Sequence, residues 1–370
     1  VVTRADRRRF VDVPWRLDLA RHPGWVPPLR ALVHELIDTR RNPFYEQAEL
    51  ALWIAERAGR VVGRIGAILN HRHAAVHDDG AGFFGFFECE DDAETGRRLL
   101  DTAAAWLADR GCRSMRGPVD PSLNHECGLL IGPFDRPARV LTRWNPPHHV
   151  DLMHAAGLGP VRTLYAYWLD AERGLSDLAA HERIVQRVRS RGRLRCRLFD
   201  FAHFERDVEI MRTLYNAAWA DQWGFVPMTH REFHDMARSV RLLTPNEALL
   251  VAEDGDRPVG FMFALPDLHA ILRSHRSGRL TPKLLFNLVR FKHRFAEARI
   301  ILLGVLPEYQ RRGVFSLLVD ELIVQGRKPG RTGVEGSWII EENHALRSIL
   351  EAVGPPIRRW QIFERSIESA

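Results

Sequence analysis

The four residues Gln310-Arg311-Arg312-Gly313 have the types and spacing to hold a multiply charged anion. Ahead of them, Ile300 to Leu306 is an apolar run that reads as a buried strand, and Pro307 ends it for want of a ladder donor. Behind them, Leu317, Leu318 and Leu322 recur at helical spacing. The four residues therefore occupy a turn between a strand and the start of a helix. Backbone N–H groups at a helix N-terminus lack intrahelical partners, and the macrodipole adds partial positive charge there. Arg311 and Arg312 add full charges, and Gly313 lets a ligand approach the backbone. A pyrophosphate suits such a site. The same arrangement also occurs as plain structure, so the rest of the chain has to discriminate.

Gln310-Arg311-Arg312-Gly313-Val314-Phe315 resembles the pyrophosphate loop of the GNAT acyltransferases, Gln/Arg-x-x-Gly-x-Gly/Ala, with Phe315 at the last small position. Val305 to Tyr309 is similar to that family's entry to the loop. The resemblance implies an acetyl-CoA or longer acyl-CoA co-substrate, or the phosphopantetheine of an acyl carrier. It implies contacts from Leu303, Val305, Gln310, Arg311, Arg312, Gly313, Val314 and Phe315. Asn343, after the strand Val334 to Ile340, matches a second element of the family that contacts the cofactor.

The elements that must position this loop come in two copies. Ala51 to Ile68 and Ala248 to Leu265 align without gaps at eight of eighteen positions, with Gly63 on Gly260 (260 − 63 = 197). Gly157 and Gly354, each after a helical pattern, repeat the offset (354 − 157 = 197). The chain therefore reads as a duplication. Residues 1–170 form a GNAT-like half without cofactor, and residues 171–370 form the half that binds acyl-CoA. The expected fold is a tandem GNAT-like α/β protein with two mixed, twisted sheets flanked by helices. Ala171 to Gly192, charged and helical, should bridge the halves. In the first half, Phe83 to Phe87 stands for the central strand, and Glu88 to Glu94 after it carries five carboxylates that should repel a pyrophosphate. That half could instead supply one wall of the acceptor site.

Length and composition agree with this picture. The chain has 370 residues, 45% hydrophobic and 27% charged, as expected for a soluble two-domain protein. Its net charge of +6 (53 − 47) points to an anionic partner. Cys89, Cys112, Cys127 and Cys196 show neither C-x-x-C nor zinc spacing, so we expect free thiols, a reducing cytoplasm and no metal. The first residues, VVTRADRRRF, have no apolar stretch of the secretory type, and no run approaches the ~20 residues that span a bilayer.

Phe84 to Glu88, Asn124-His125-Glu126-Cys127-Gly128-Leu129-Leu130 and Trp223 to Pro227 together resemble a bacterial family of large tandem GNAT proteins associated with sphingolipid (ceramide-type) N-acylation. That resemblance implies a long acyl group and a lipid-like or small-molecule amine. GNAT chemistry is attack of an amine on a thioester, helped by a positioned acid or base. The family's usual tyrosine position, four before Gly354, holds Leu350. The candidates are then Glu341 and His344 beside Asn343, and Glu126 in the first half. Glu341 at a helix start also has a purely structural reading, since it complements the dipole. Tyr215, Trp219, Trp223 and Asn124 are candidates for contact with the acceptor, and the tryptophans are equally open to a core role.

Leu268 to Arg299 carries eight basic residues against one acidic residue, Glu297. Leu284, Leu288, Phe291 and Phe295 make a helical apolar stripe, with Lys283, Arg290 and Arg294 on another face. Such a helix suits an anionic membrane surface, an acyl carrier protein or an ordinary solvated face. Sparse aromatic interleaving and the lack of a reader motif argue against nucleic acid. The expected location is the cytoplasm, with peripheral attachment to the inner membrane face where the basic helix engages lipid.

Overall fold

The computed structural model describes residues 1–171, 179–292 and 294–367. The first repeat contains helices α1 (Arg4–Arg16), α2 (Arg30–Leu36), α3 (His71–His77), α4 (Ala93–Ala108) and α5 (His148–Ala155). Its strands are β1 (Ala48–Arg57), β2 (Arg60–Asn70), β3 (Ala81–Cys89), β4 (Ser114–Gly117), β5 (Val119–Asp120), β6 (Glu126–Cys127), β7 (Leu129–Gly132) and β8 (Gly159–Asp170). The second repeat contains α6 (Ala179–Ser190), α7 (Phe204–Ala218), α8 (His230–Arg241), α9 (His269–Leu272), α10 (Pro282–Phe291), α11 (Val314–Gly326) and α12 (His344–Glu351). Its strands are β9 (Leu194–Leu198), β10 (Leu249–Asp254), β11 (Arg257–Pro266), β12 (Glu297–Val305), β13 (Gly333–Ile340) and β14 (Arg358–Ser366). Part of the expected bridge between the halves, residues 172–178, lies outside the described residues.

The duplication is visible in backbone detail. The hairpin β1–β2 slips register between Ala55 and Glu56, and β10–β11 slips between Ala252 and Glu253. These positions are again 197 apart (252 − 55 = 197). One extra residue at the same place in both hairpins gives each the same local twist.

The two compact units do not follow the sequence blocks 1–170 and 171–370. One unit holds Val1–Leu164, His269–Leu284 and Arg358–Ala370, and the other holds Tyr165–Leu268 and Leu285–Ile357. The final strands of the two repeats have thus changed places. In the first unit the order is β1-β2-β3-β4-β14, with β7 also on β14. Phe363 pairs with Gly117 and Ser366 with Ser114. In the second unit the order is β8-β13-β12-β11-β10-β9. Burial explains why the exchange holds. Phe363 is fully buried among Phe84, Leu100 and Met115 of the first unit, while Tyr167 is buried among Val314, Leu318 and Leu350 of the second. Burying one such side chain stabilises by about 1.5–3 kcal/mol.

Two other local expectations change. Pro14 does not break the first helix but sits in the last turn of α1. A capping box between Thr3 and Asp6 starts that helix well upstream, so the missing proline N–H costs only one late hydrogen bond. The basic stretch is divided as well. Its early part docks on the first unit, where the Trp15 indole donates to the Arg276 carbonyl at 2.7 Å and Arg30 Nε to that of Ser277 at 2.7 Å. On α10, Leu284 and Leu288 are buried, whereas Leu280, Leu285 and Phe286 are 49, 42 and 65% exposed. Lys283, Arg290 and Arg294 are exposed around them.

Candidate functional site

In the second unit, β12 and β13 run parallel and pair from Glu297↔Gly333 to Ile300↔Gly336. No pairing of the two strands is recorded past that point, although both continue, β12 to Val305 and β13 to Ile340. On the other side of β12, Ile300 faces Ala264 and Leu302 faces Phe263, so Ile301 is the extra residue of a β-bulge at the divergence. Leu303 and Val305 lie beyond it, half-buried against the core under α11. A V-shaped gap between parallel strands exposes backbone groups that a strand-like ligand can pair with.

The basic loop lies at the open end of this gap. Pro307 starts a 3-10 turn, and buried Tyr309 donates its hydroxyl to Asp254 Oδ2 at 2.9 Å. That bond, with the approach of Arg193, holds the Asp254 carboxyl below its ordinary range. The loop start is thereby tied to the β10–β11 turn. Gln310, Arg311 and Arg312 are exposed, and the Arg312 guanidinium lies 4.9 Å from the Tyr309 ring centroid. Gly313 has φ +82° and caps α11, and no side chain caps that helix. Val314 is fully buried, and Phe315 packs on the α11 core. The large residue at the family's small position therefore spends its side chain on packing. A glycine-capped helix start with two flanking arginines suits the pyrophosphate of a CoA-type molecule.

At the apex of the gap stands a buried polar network. Arg299 Nε donates to Ser337 Oγ at 2.8 Å, Arg299 Nη2 to the Ser337 carbonyl at 3.1 Å, and Ser337 Oγ to Glu335 Oε1 at 2.8 Å. All three residues are buried, and the guanidinium lies 4.8 Å from the Trp338 ring centroid. The network joins β12 to β13 just where they begin to part, and loss of one partner would strand a buried charge. The signal available for it was an arginine and a glutamate embedded in apolar strand sequence.

The residues chosen from sequence divide between the units. Asn343 caps α12, its Oδ1 accepting from Leu346 N at 3.2 Å. The expected contact of that side chain with a cofactor thus meets a structural role already filled. His344 follows on the first turn and is exposed, and Glu341 is half-buried with its carbonyl accepting from Arg347 at 3.0 Å. Leu350 is buried core, as its place in an apolar cluster requires. A phenol does meet α12, from the exchanged strand: Tyr167 donates to Glu351 at 2.9 Å. Tyr215 is 2% exposed and packs 5.3 Å from Phe225 and 5.8 Å from Phe233, so the expectation of acceptor contact gives way to an aromatic core. Burial pushes its phenol pKa up. Trp219 and Trp223 are half-exposed on the loop after α7. Asn216 pins this loop through two hydrogen bonds to Met228, at 2.9 and 3.0 Å.

Asn124 and Glu126 belong to the first unit, so the structure does not gather all candidates into one group. Glu126 pairs across the short β5–β6 ladder with Asp120. Asp120 accepts from Arg143 and from the Phe86 backbone N–H. Arg143 and Arg64 approach Glu88 at 3.6 and 3.8 Å. Burial raises the Glu88 carboxyl above its ordinary range, and the two guanidinium groups partly offset that. The acidic turn is not a bare repulsive surface. Glu90 pairs with Arg57 and Arg60, Asp92 caps α4 through Thr95 N at 3.1 Å, and Glu94 pairs with Arg97 and Arg98.

What distinguishes the first unit is steric. Its strands β3 and β4 also pair only to Phe83↔Arg116. There, however, the chain's own backbone enters the gap. A Cβ on Gly85 would lie 1.6 Å from the Val119 carbonyl oxygen, and one on Gly117 would lie 2.3 Å from the Phe84 oxygen. We expect titration calorimetry to give one CoA per chain. A stoichiometry of two would show that residues 117–120 leave the gap on binding.

Among the described residues no group of three His, Cys, Asp or Glu side chains is placed to hold a metal ion. No described helix is long and apolar enough to cross a membrane.

The family model described as "Acetyltransferase (GNAT) family" matches residues 208–354, which include β12, the loop and α12. Protein YghO of Escherichia coli (strain K12) is 30% identical over 98% of this chain and 93% of its own. A protein of Caulobacter vibrioides named bacterial ceramide synthase is 30% identical over 99% of this chain and 96% of its own. Among solved structures, a tandem GNAT protein from the clavulanic acid biosynthesis pathway matches 98% of this chain and 95% of its own, with a TM-score of 0.56 and 15% identity. That likeness shows the fold. Identity of 30% along nearly the whole of two relatives, with the GNAT match on the loop, makes this chain a member of the GNAT acyltransferases in their tandem form, related to the bacterial ceramide synthase.

Proposed function

We propose that the protein transfers an acyl group from a CoA or carrier-bound thioester to an amine, the acyl group being long and the amine lipid-like. The observation that carries this reading is the glycine-capped basic loop at the mouth of the β12–β13 gap. A pyrophosphate on the loop would lay the pantetheine arm along Val305 and Leu303 and bring the thioester to the Ile301 bulge. The amine nitrogen attacks the carbonyl carbon, the C–N bond forms and the C–S bond breaks. The ammonium proton passes to a nearby base and the thiolate leaves to be protonated. Glu341, His344 and Glu126 are the candidate proton carriers. The name of the Caulobacter relative supports a lipid-like amine. The exposed Leu280, Leu285 and Phe286 beside basic residues support work at an anionic membrane surface, on the cytoplasmic face.

The test is to incubate the purified chain with palmitoyl-CoA and a bacterial lipid extract or a panel of long-chain amines. Free thiol and amide products would be followed together, the products by mass spectrometry. Amide formation matched by thiol release is expected. CoA binding without either product would leave a non-catalytic acyl-CoA-binding protein.

A further inference from the structure

A second feature of the second unit is a cavity of about 690 Å³, counted to its open mouth. Its wall is mostly apolar, from Leu169 of β8, Ala264 of β11, Ala298 of β12, Val334 of β13, and Val319 and Ile323 of α11. The charged groups at its rim are matched with one another. Glu247 meets Lys328 at 2.7 Å and Arg331 at 3.5 Å, and the Arg331 guanidinium lies 3.1 Å from the Phe295 ring centroid. An apolar wall with its rim charges already paired selects an apolar occupant.

Its position says which one. Ala298 and Val334 are register partners, two residues before the last pair Ile300↔Gly336. At the strand rise this is ~7 Å from the divergence. Ala264, Ile300, Val319 and Val334 all pack in the core under α11, the helix whose start Gly313 caps. A thioester at the Ile301 bulge therefore has this cavity ahead of it along β12, on the side of the sheet that α11 covers. An acetyl group would end short of it.

We propose that the cavity holds the distal part of a long acyl chain on the thioester donor, and so sets the chain length transferred. This rests on the acyl-transfer reading above. Each methylene that leaves water for the cavity should improve donor binding about fourfold until the cavity is full.

The test uses palmitoyl-CoA carrying a terminal diazirine, irradiated on the full chain and mapped by peptide mass spectrometry. Adducts on the α11 segment from Val319 to Gln325, or on Gly333 and Val334, are expected. Two variants narrow the cavity from different elements, Val319→Phe and Ala298→Leu, with thermal melting as the check on folding. The ratio of kcat/KM for palmitoyl-CoA to that for butyryl-CoA should fall at least tenfold in both. Palmitoyl transfer with adducts elsewhere, or an unchanged ratio in folded variants, overturns the cavity assignment and leaves acyl transfer standing. Absence of any CoA-dependent labelling or transfer overturns the acyl-transfer reading and this one with it.

Discussion

Replacing Arg311 and Arg312 together by glutamate should weaken CoA binding at least a hundredfold while the protein stays folded. Both side chains are exposed and neither supports the core, so the substitution acts on charge alone. A hydrogen bond to a charged group contributes ~1.5–3 kcal/mol, and two lost together give ~3–6 kcal/mol. The two added carboxylates then repel the same phosphates. Calorimetry with CoA, beside a circular dichroism melt, measures the effect. Retained affinity in the folded double variant would remove the loop from the binding site. Substitution at Gly313 makes a poorer test. A Cβ there would lie 2.6 Å from Val188 Cγ2 and 3.1 Å from Ile184 Cγ2 of α6, on a backbone at φ +82°. Gly313→Asp would therefore shift α6 as well as repel phosphate, and lost binding would have two causes.

The second large effect is expected at the lipid surface. Lys283→Glu, Arg290→Glu and Arg294→Glu in one chain should reduce the fraction bound to anionic vesicles about a hundredfold. Each basic residue near such a surface contributes ~1 kcal/mol, so three contribute on the order of 3 kcal/mol. The buried residues Leu284 and Leu288 hold α10 in place, and the substituted positions are exposed, so the helix should survive. High salt should weaken the wild-type attachment, since the Debye length is only ~8 Å at physiological ionic strength. Phe286→Ser separates insertion from attraction. It should weaken binding at all salt concentrations, because Phe286 is 65% exposed and apolar. Co-sedimentation with vesicles of defined anionic content reads all three proteins. If the wild type ignores such vesicles at low salt, the membrane proposal fails, and an acidic acyl carrier protein becomes the partner for this face.

Much of the protein could be read from the chain because the informative features are local. Helix periodicity, the proline and glycine around the basic loop, and the offset of 197 residues are properties of neighbouring residues. They predicted β12, the loop, α11, both hairpins and the duplication, all of which appear in place. The open question at Phe315 also had a local answer, since its spacing from Leu318 and Leu322 puts it on the packed side of α11.

Other features depended on which distant segments meet. The last strands of the two repeats carry no local mark of their exchange, because ladder hydrogen bonds use backbone groups common to all residues. Burial of Phe363 in one unit and Tyr167 in the other decided it. The acidic turn after β3 read as repulsive because charge can be counted along a chain, whereas the arginines that pair with it come from β1, β2 and the segment at Arg143. The gap in the first unit is closed by a carbonyl from Val119 over Gly85, a contact across 34 residues. The network of Arg299, Ser337 and Glu335, and the cavity under β12 and β13, likewise need two strands and a helix in register. The chain by itself specified a loop able to hold a phosphate. Only tertiary packing decided which of the two repeats keeps an open gap beside its central strand, because that depends on where backbone atoms far apart in sequence come to rest.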